Sequence, residues 1–78
     1  MKVEVFVTLR PSLNDAQGAV VCQALHNLGY EQVTQVRIGK YVELEVTGED
    51  RAAVEHQVRA MSEQLLSNPI IEDFRVAL

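Results

Sequence analysis

The alternation from Val33 to Thr47 constrains the fold of this chain more than any other feature. Val36, Ile38, Val42, Leu44 and Val46 stand at even positions and interleave with Arg37, Tyr41, Glu43 and Glu45, the period-two pattern of a strand with one buried face. Gly39-Lys40 invites a hairpin. A two-residue loop, however, pairs Ile38 with Tyr41 and moves Glu43 and Glu45 onto the face of Val36 and Ile38. A three-residue loop of Gly39, Lys40 and Tyr41 keeps the faces, yet glycine normally comes last in such loops, not first. The pattern therefore predicts one long strand, bent or bulged at Gly39, where a missing side chain tolerates a kink.

The flanking segments are symmetric about this strand. Val3, Val5, Val7 and Leu9 alternate with Lys2, Glu4, Phe6 and Thr8, so residues 2–9 read as a strand that Arg10-Pro11 ends. Asn14 or Asp15 can cap a helix, with Gln17 placed as in a capping box after Asn14. Val21, Ala24, Leu25 and Leu28 give that helix an apolar stripe, and Gly29 followed by Tyr30 predicts a left-handed ending. A second helix starts near Glu49 or Asp50, with Val54, Val58, Met61 and Leu65 as its buried stripe. Asn68-Pro69 stops it, and Ile70 to Leu78 alternates again, with Phe74, Val76 and Leu78 in one phase.

These segments predict an α+β fold, a two-layer sandwich in the order β-α-β-α-β. It has a long bent central strand and two helices on one face of a mainly antiparallel sheet. A four-stranded ferredoxin-like βαββαβ arrangement is the alternative. All 78 residues form a single domain, a size at which one core is barely sufficient and association is a natural source of further stability. The long strand outruns its neighbours and leaves an edge to be protected or used; a dimer or a dimer of dimers uses it. A formal net charge of −4 argues against nucleic acid and anionic membrane surfaces as partners. No apolar run approaches the ~20 residues of a membrane span, and no signal-peptide pattern opens the chain. One cysteine leaves no internal disulfide and fits a reducing cytoplasm.

The residues themselves show no catalytic, cofactor-binding or metal-binding set. Cys22 and His26, four apart on one helix, lack the oxyanion donors and orienting group that a cysteine nucleophile needs. They read more simply as a small helix residue and a surface histidine. His56 with Glu55 or Glu63 lacks a metal-ligand spacing and reads as a solvated helix face. Arg10, Ser12 and the helix start Asp15-Ala16-Gln17-Gly18 resemble an anion site, but a capping Asn14 or Asp15 already occupies those donors. Gly39-Lys40 is no phosphate loop, since no helix and no Ser or Thr follow it; it reads as a bulge with a solvated lysine or as a partner contact. The pairs Glu43/Glu45 and Glu72/Asp73 read as surface charges.

Several segments together carry a family resemblance. Val5-Phe6-Val7-Thr8-Leu9-Arg10-Pro11, Asp15-Ala16-Gln17-Gly18 and Ala24-Leu25-His26-Asn27-Leu28-Gly29-Tyr30 resemble the PurS family. So do Val36-Arg37-Ile38-Gly39-Lys40-Tyr41, the alternation up to Val46, and the ending Leu65-Leu66-Ser67-Asn68-Pro69-Ile70-Ile71-Glu72-Asp73-Phe74. The likeness covers essentially the whole chain. It departs at Ala16, where the family has proline before Gln-Gly, and at Met61, where many members have cysteine.

The resemblance implies a non-catalytic assembly subunit of phosphoribosylformylglycinamidine (FGAM) synthase. In that family a glutaminase subunit (PurQ-like) releases ammonia from glutamine. A synthetase subunit (PurL-like) uses ATP, with Mg, to convert the formylglycinamide ribonucleotide (FGAR) into its amidine in de novo purine synthesis. The small subunit looks like a homodimeric or homotetrameric bridge between them in the cytoplasm. Arg10, Gly39, Lys40 and Tyr41 match the family's pattern and are the expected partner contacts. A second reading, from another class, is a dimeric small-molecule-sensing regulatory domain, which the same architecture permits. A stand-alone acylphosphatase-like enzyme comes third, because Arg10-Pro11-Ser12 is too short of glycine to cradle phosphate.

Overall fold

Val3, Val5 and Val7 are fully buried, and the fold is built on the strand that carries them. The computed structural model describes residues 1–78. Its elements are β1 (Lys2–Leu9), α1 (Ala16–Asn27), β2 (Gly39–Glu45), α2 (Arg51–Met61), a π-helical turn (Ser62–Leu66) continuing α2, and β3 (Glu72–Ala77). This is the expected α+β order of three strands and two helices. The strands form one antiparallel sheet in the order β2-β1-β3. The middle of the sheet is therefore β1, and the strand that is central in the sequence lies at an edge.

The register explains the core. Val3 lies opposite Leu44, while Val5 is flanked by Val42 and Val76 and Val7 by Lys40 and Phe74. Directly opposed residues point to the same face, so the odd positions of β1 collect the apolar phases of both neighbours. Val54 and Val58 of α2 close this face, with Val46 and Leu66 at its margin. Asp50 caps α2, its Oδ1 accepting from the Ala52 amide at 3.0 Å and the Ala53 amide at 3.4 Å, which satisfies two of the free donors of a helix start.

Three expectations are corrected. The ladder of β2 begins only at Gly39, opposite Thr8. Residues 33–38 form no strand, although Val36 and Ile38 continue the even phase. The register would set Ile38 against Leu9, the last residue of β1, and Val36 against Pro11, where the chain turns, so the ladder runs out here. The Ile38 amide instead donates to Asp15 Oδ2 at 2.7 Å.

The second correction concerns α1, which supplies none of the buried core side chains. Only α2 covers the sheet. Val21 and Leu25 are half-buried, while Leu28 remains 73% exposed. The third correction concerns the stripe of α2, which runs Val54, Val58, Ser62, Leu66 rather than through Met61 and Leu65. The Ser67 amide donates to the Ser62 carbonyl, a bond spanning five residues; the widened turn rotates Leu65 outward, to 83% exposure. Ser62 fits inside because its hydroxyl donates to the Val58 carbonyl at 2.8 Å.

The molecule measures 48 × 24 × 14 Å with a radius of gyration of 15.8 Å. A compact chain of this length has a radius near 11.5 Å. Its accessible surface is 5669 Å², against about 4,700 Å² for a folded monomer of this mass. The surplus comes from an arm, residues 16–38, that stands away from the sheet.

Candidate functional site

The arm is joined to the sheet through a few contacts between main chain and side chain. Asp15 caps α1, with Oδ1 accepting from the Gly18 amide at 2.8 Å, and its other oxygen holds the Ile38 amide. The Ile38 amide foremost, then the Gly18 amide, and the Arg37 charge behind them keep the Asp15 carboxyl below its ordinary value, against an opposing effect of burial. Arg37 donates to the carbonyls of Leu13 at 2.8 Å and Arg10 at 2.9 Å. Gly18 is buried, and a Cβ there would overlap the Val36 carbonyl. The capping box expected from Asn14 and Gln17 is not formed, because Asp15 is the cap.

The arm's far end is ordered by its own sequence. Gly29, at φ 103°, follows the last helical turn; its amide reaches the His26 carbonyl and the Tyr30 amide the Leu25 carbonyl, both at 3.0 Å. This is the predicted left-handed ending. The chain then returns beside the helix, where His26 Nε2 lies 2.6 Å from the Val33 carbonyl. That nitrogen carries the proton and donates it. Cys22 Sγ is 3.7 Å from the same nitrogen, which has no lone pair left to take the thiol proton, so the two do not make a nucleophile and base. Between the helix and the returning segment lies an open cleft of about 260 Å³, lined by Asp15, Gln23, His26, Gln35 and Arg37 among others.

The uncovered face of the sheet carries a second cluster. Phe6 lies opposite Tyr41 on one side and Arg75 on the other. The rings of Phe6 and Tyr41 are 5.2 Å apart, and the Arg75 guanidinium sits 4.4 Å over the Phe6 ring, an arrangement that favours cation–π attraction. The Tyr41 hydroxyl reaches Glu4 Oε2 at 2.6 Å and Glu43 Oε1 at 2.8 Å. These carboxylates, Glu4 first, hold the phenol well above its ordinary pKa. The same hydroxyl, and after it Lys2, holds Glu43 below its own.

Of the expected contact residues, Arg10, Gly39 and Lys40 lie at the same end of the sheet, Arg10 toward β3 and the other two in β2 across β1, and Tyr41 lies on the open face. Arg10 is engaged within the chain: its guanidinium donates to the Pro69 carbonyl and stands 3.8 Å from Asp73. Gly39 is the first residue of β2, pressed so closely on the Val7 carbonyl that a side chain has no room. Lys40, opposite Val7, is exposed. Sequence reasoning missed the second oxygen of Asp15 and the inward turn of Arg37. The cap was legible from Asp15 and Gly18, whereas a partner such as Ile38, far along the chain, leaves no local signal.

No three His, Cys, Asp or Glu side chains converge as a metal-binding group requires. Gly39-Lys40 lies inside a strand, not before a helix, so no phosphate cradle forms there. No helix is long and apolar enough to cross a membrane.

Comparison with known proteins matches residues 2–78 to the family model described as PurS: Phosphoribosylformylglycinamidine (FGAM) synthase. The chain is 47% identical over 74 residues to the phosphoribosylformylglycinamidine synthase subunit PurS of Bacillus subtilis, covering 95% of this chain and 87% of that one. It is also 47% identical over 70 residues to the subunit of the same name from Synechocystis, covering 90% and 70%. Among solved structures it superimposes on a chain of PurLQS from Thermotoga maritima with a TM-score of 0.90, at 29% identity over 97% of this chain and 93% of that one. The fold, its open faces and these likenesses together place the chain in the PurS family of phosphoribosylformylglycinamidine synthase subunits.

Proposed function

We propose that this chain works by assembly: it pairs with copies of itself through the arm and joins a glutaminase subunit (PurQ-like) to a synthetase subunit (PurL-like). The reaction served is the conversion of FGAR, glutamine and ATP to FGAM, with ATP, Mg and glutamine handled by the partner subunits in the cytoplasm. One observation carries the reading. The arm and the edge of β2 leave roughly 900 Å² more surface than a monomer of this mass needs, close to the ~800 Å² that each partner contributes to a standard interface. The relative whose structure is that of PurLQS supports the hetero-assembly. A homodimer uses the arm alone; a homotetramer also uses the aromatic face of the sheet.

The test is reconstitution. Glutamine-dependent amidine formation by the two larger subunits should be feeble until this chain is added, while ammonia-dependent formation by the synthetase should be much less affected. Full glutamine-dependent activity in its absence would overturn the assignment.

A further inference from the structure

We infer that Asp15 is a positioning residue that fixes the angle of the arm, so that the association surface is already formed before a partner arrives. The inference rests on the assembly reading above, with the arm as the self-association surface.

The carboxylate has two separable duties. Oδ1 caps α1 through the Gly18 amide, a local task that any good capping residue performs. Oδ2 accepts from the Ile38 amide at 2.7 Å, across the gap between the helix start and the residue just before β2. That second bond makes the arm continuous with the sheet, because Ile38 abuts Gly39, whose pairing opposite Thr8 is fixed. Arg37 repeats the device from the other side, gripping the carbonyls of Leu13 and Arg10. Gly18 lets the helix come flush against Val36. With no α1 side chain in the core, this joint is what holds the helix in place. A loose arm must be ordered on binding, and that ordering weakens association.

Two substitutions separate the joint from the cap. Asp15→Asn keeps one acceptor oxygen and remains a strong helix cap, but its other atom is a donor and faces the Ile38 amide donor. Gly18→Ala favours α1 as a helix yet pushes Val36 away. Both variants should retain wild-type helix content, lose protection of the Ile38 amide in hydrogen exchange, and self-associate roughly tenfold more weakly in sedimentation equilibrium, the worth of one hydrogen bond to a charged group. A merely capping Asp15 predicts that Asp15→Asn changes neither readout, and that result overturns the inference. If the wild-type chain itself stays monomeric, self-association through the arm falls, and the positioning role falls with it wherever Ile38 exchange is also the same in wild type and variants. Ile38 protection lost in both variants of such a monomer upholds the joint.

Discussion

The Tyr41 hydroxyl stands 2.6 Å from Glu4 Oε2, tying the edge strand to the middle of the sheet on the face that no helix covers. One phenol proton serves two carboxylates there, since Glu43 lies 2.8 Å from the same oxygen. Ionising the phenol would place a third negative charge among them. In a Tyr30→Phe variant, which leaves Tyr41 as the only tyrosine, the ultraviolet signal of tyrosinate should be well short of half its full amplitude at pH 10.0, where an ordinary phenol is half ionised. The folded pKa is raised, so this contact stabilises below pH 10.0 and is lost as pH climbs through the higher folded value. Glu4→Gln should bring the titration back toward the ordinary value. A half-point near pH 10 in the folded Tyr30→Phe protein would contradict the geometry.

The five-residue turn after α2 separates the fates of two residues, Val58 and Leu65, that a regular helix would set on one face. Val58 is fully buried, while Leu65 is 83% exposed. Val58→Ala should cost about 2–3 kcal/mol in urea denaturation, the lost transfer energy plus a cavity. Leu65→Ser should stay within about 0.5 kcal/mol of wild type. Equal losses would mean that α2 keeps a regular stripe through Leu65.

Gly39 is needed for closeness rather than for a positive φ. A Cβ at this position meets the Val7 carbonyl and the Thr8 side chain, so Gly39→Ala should open the start of the β2 ladder. The expected loss is about 1–3 kcal/mol, visible as a lower denaturation midpoint and as faster exchange of amides at that end of β1. Gly29→Ala also destabilises, but by backbone strain at φ 103° and with open space around it.

Leu28 ends the apolar stripe of α1 yet remains 73% exposed. If the stripe is covered by a second copy, Leu28→Lys should abolish self-association at micromolar concentration while leaving circular dichroism of the dilute chain unchanged. An unaltered sedimentation profile would move the interface elsewhere.

The sequence was most legible where a rule acts within one element. The alternation of β1 placed Val3, Val5 and Val7 inside, and the phases of Val42, Leu44, Phe74 and Val76 followed. Both acidic caps and the Gly29 ending were readable because their partners lie within a turn. What the sequence concealed depends on length and on distance. The even phase at Val36 and Ile38 is real, but a ladder continues only while its neighbour does, and β1 ends at Leu9, opposite Ile38. The stripe of α1 promised burial without saying against what. The turn at Ser62 shifted the face of α2 by one residue, and it shows only in the structure, in the bond from the Ser67 amide to the Ser62 carbonyl and in the exposure of Leu65. At the candidate site, Tyr41 was found with its correct face, whereas the tasks of Arg10 and Arg37 toward distant carbonyls carried no pattern.

β1 occupies the centre of the sheet although it precedes both of its partners in the chain. Val5 pairs with Val42 on one side and with the far more distant Val76 on the other. Such distant pairings fold slowly, and until β3 docks this valine-rich segment lacks one of its two neighbours. A truncation that removes β3 should therefore yield an aggregating product rather than a smaller stable domain.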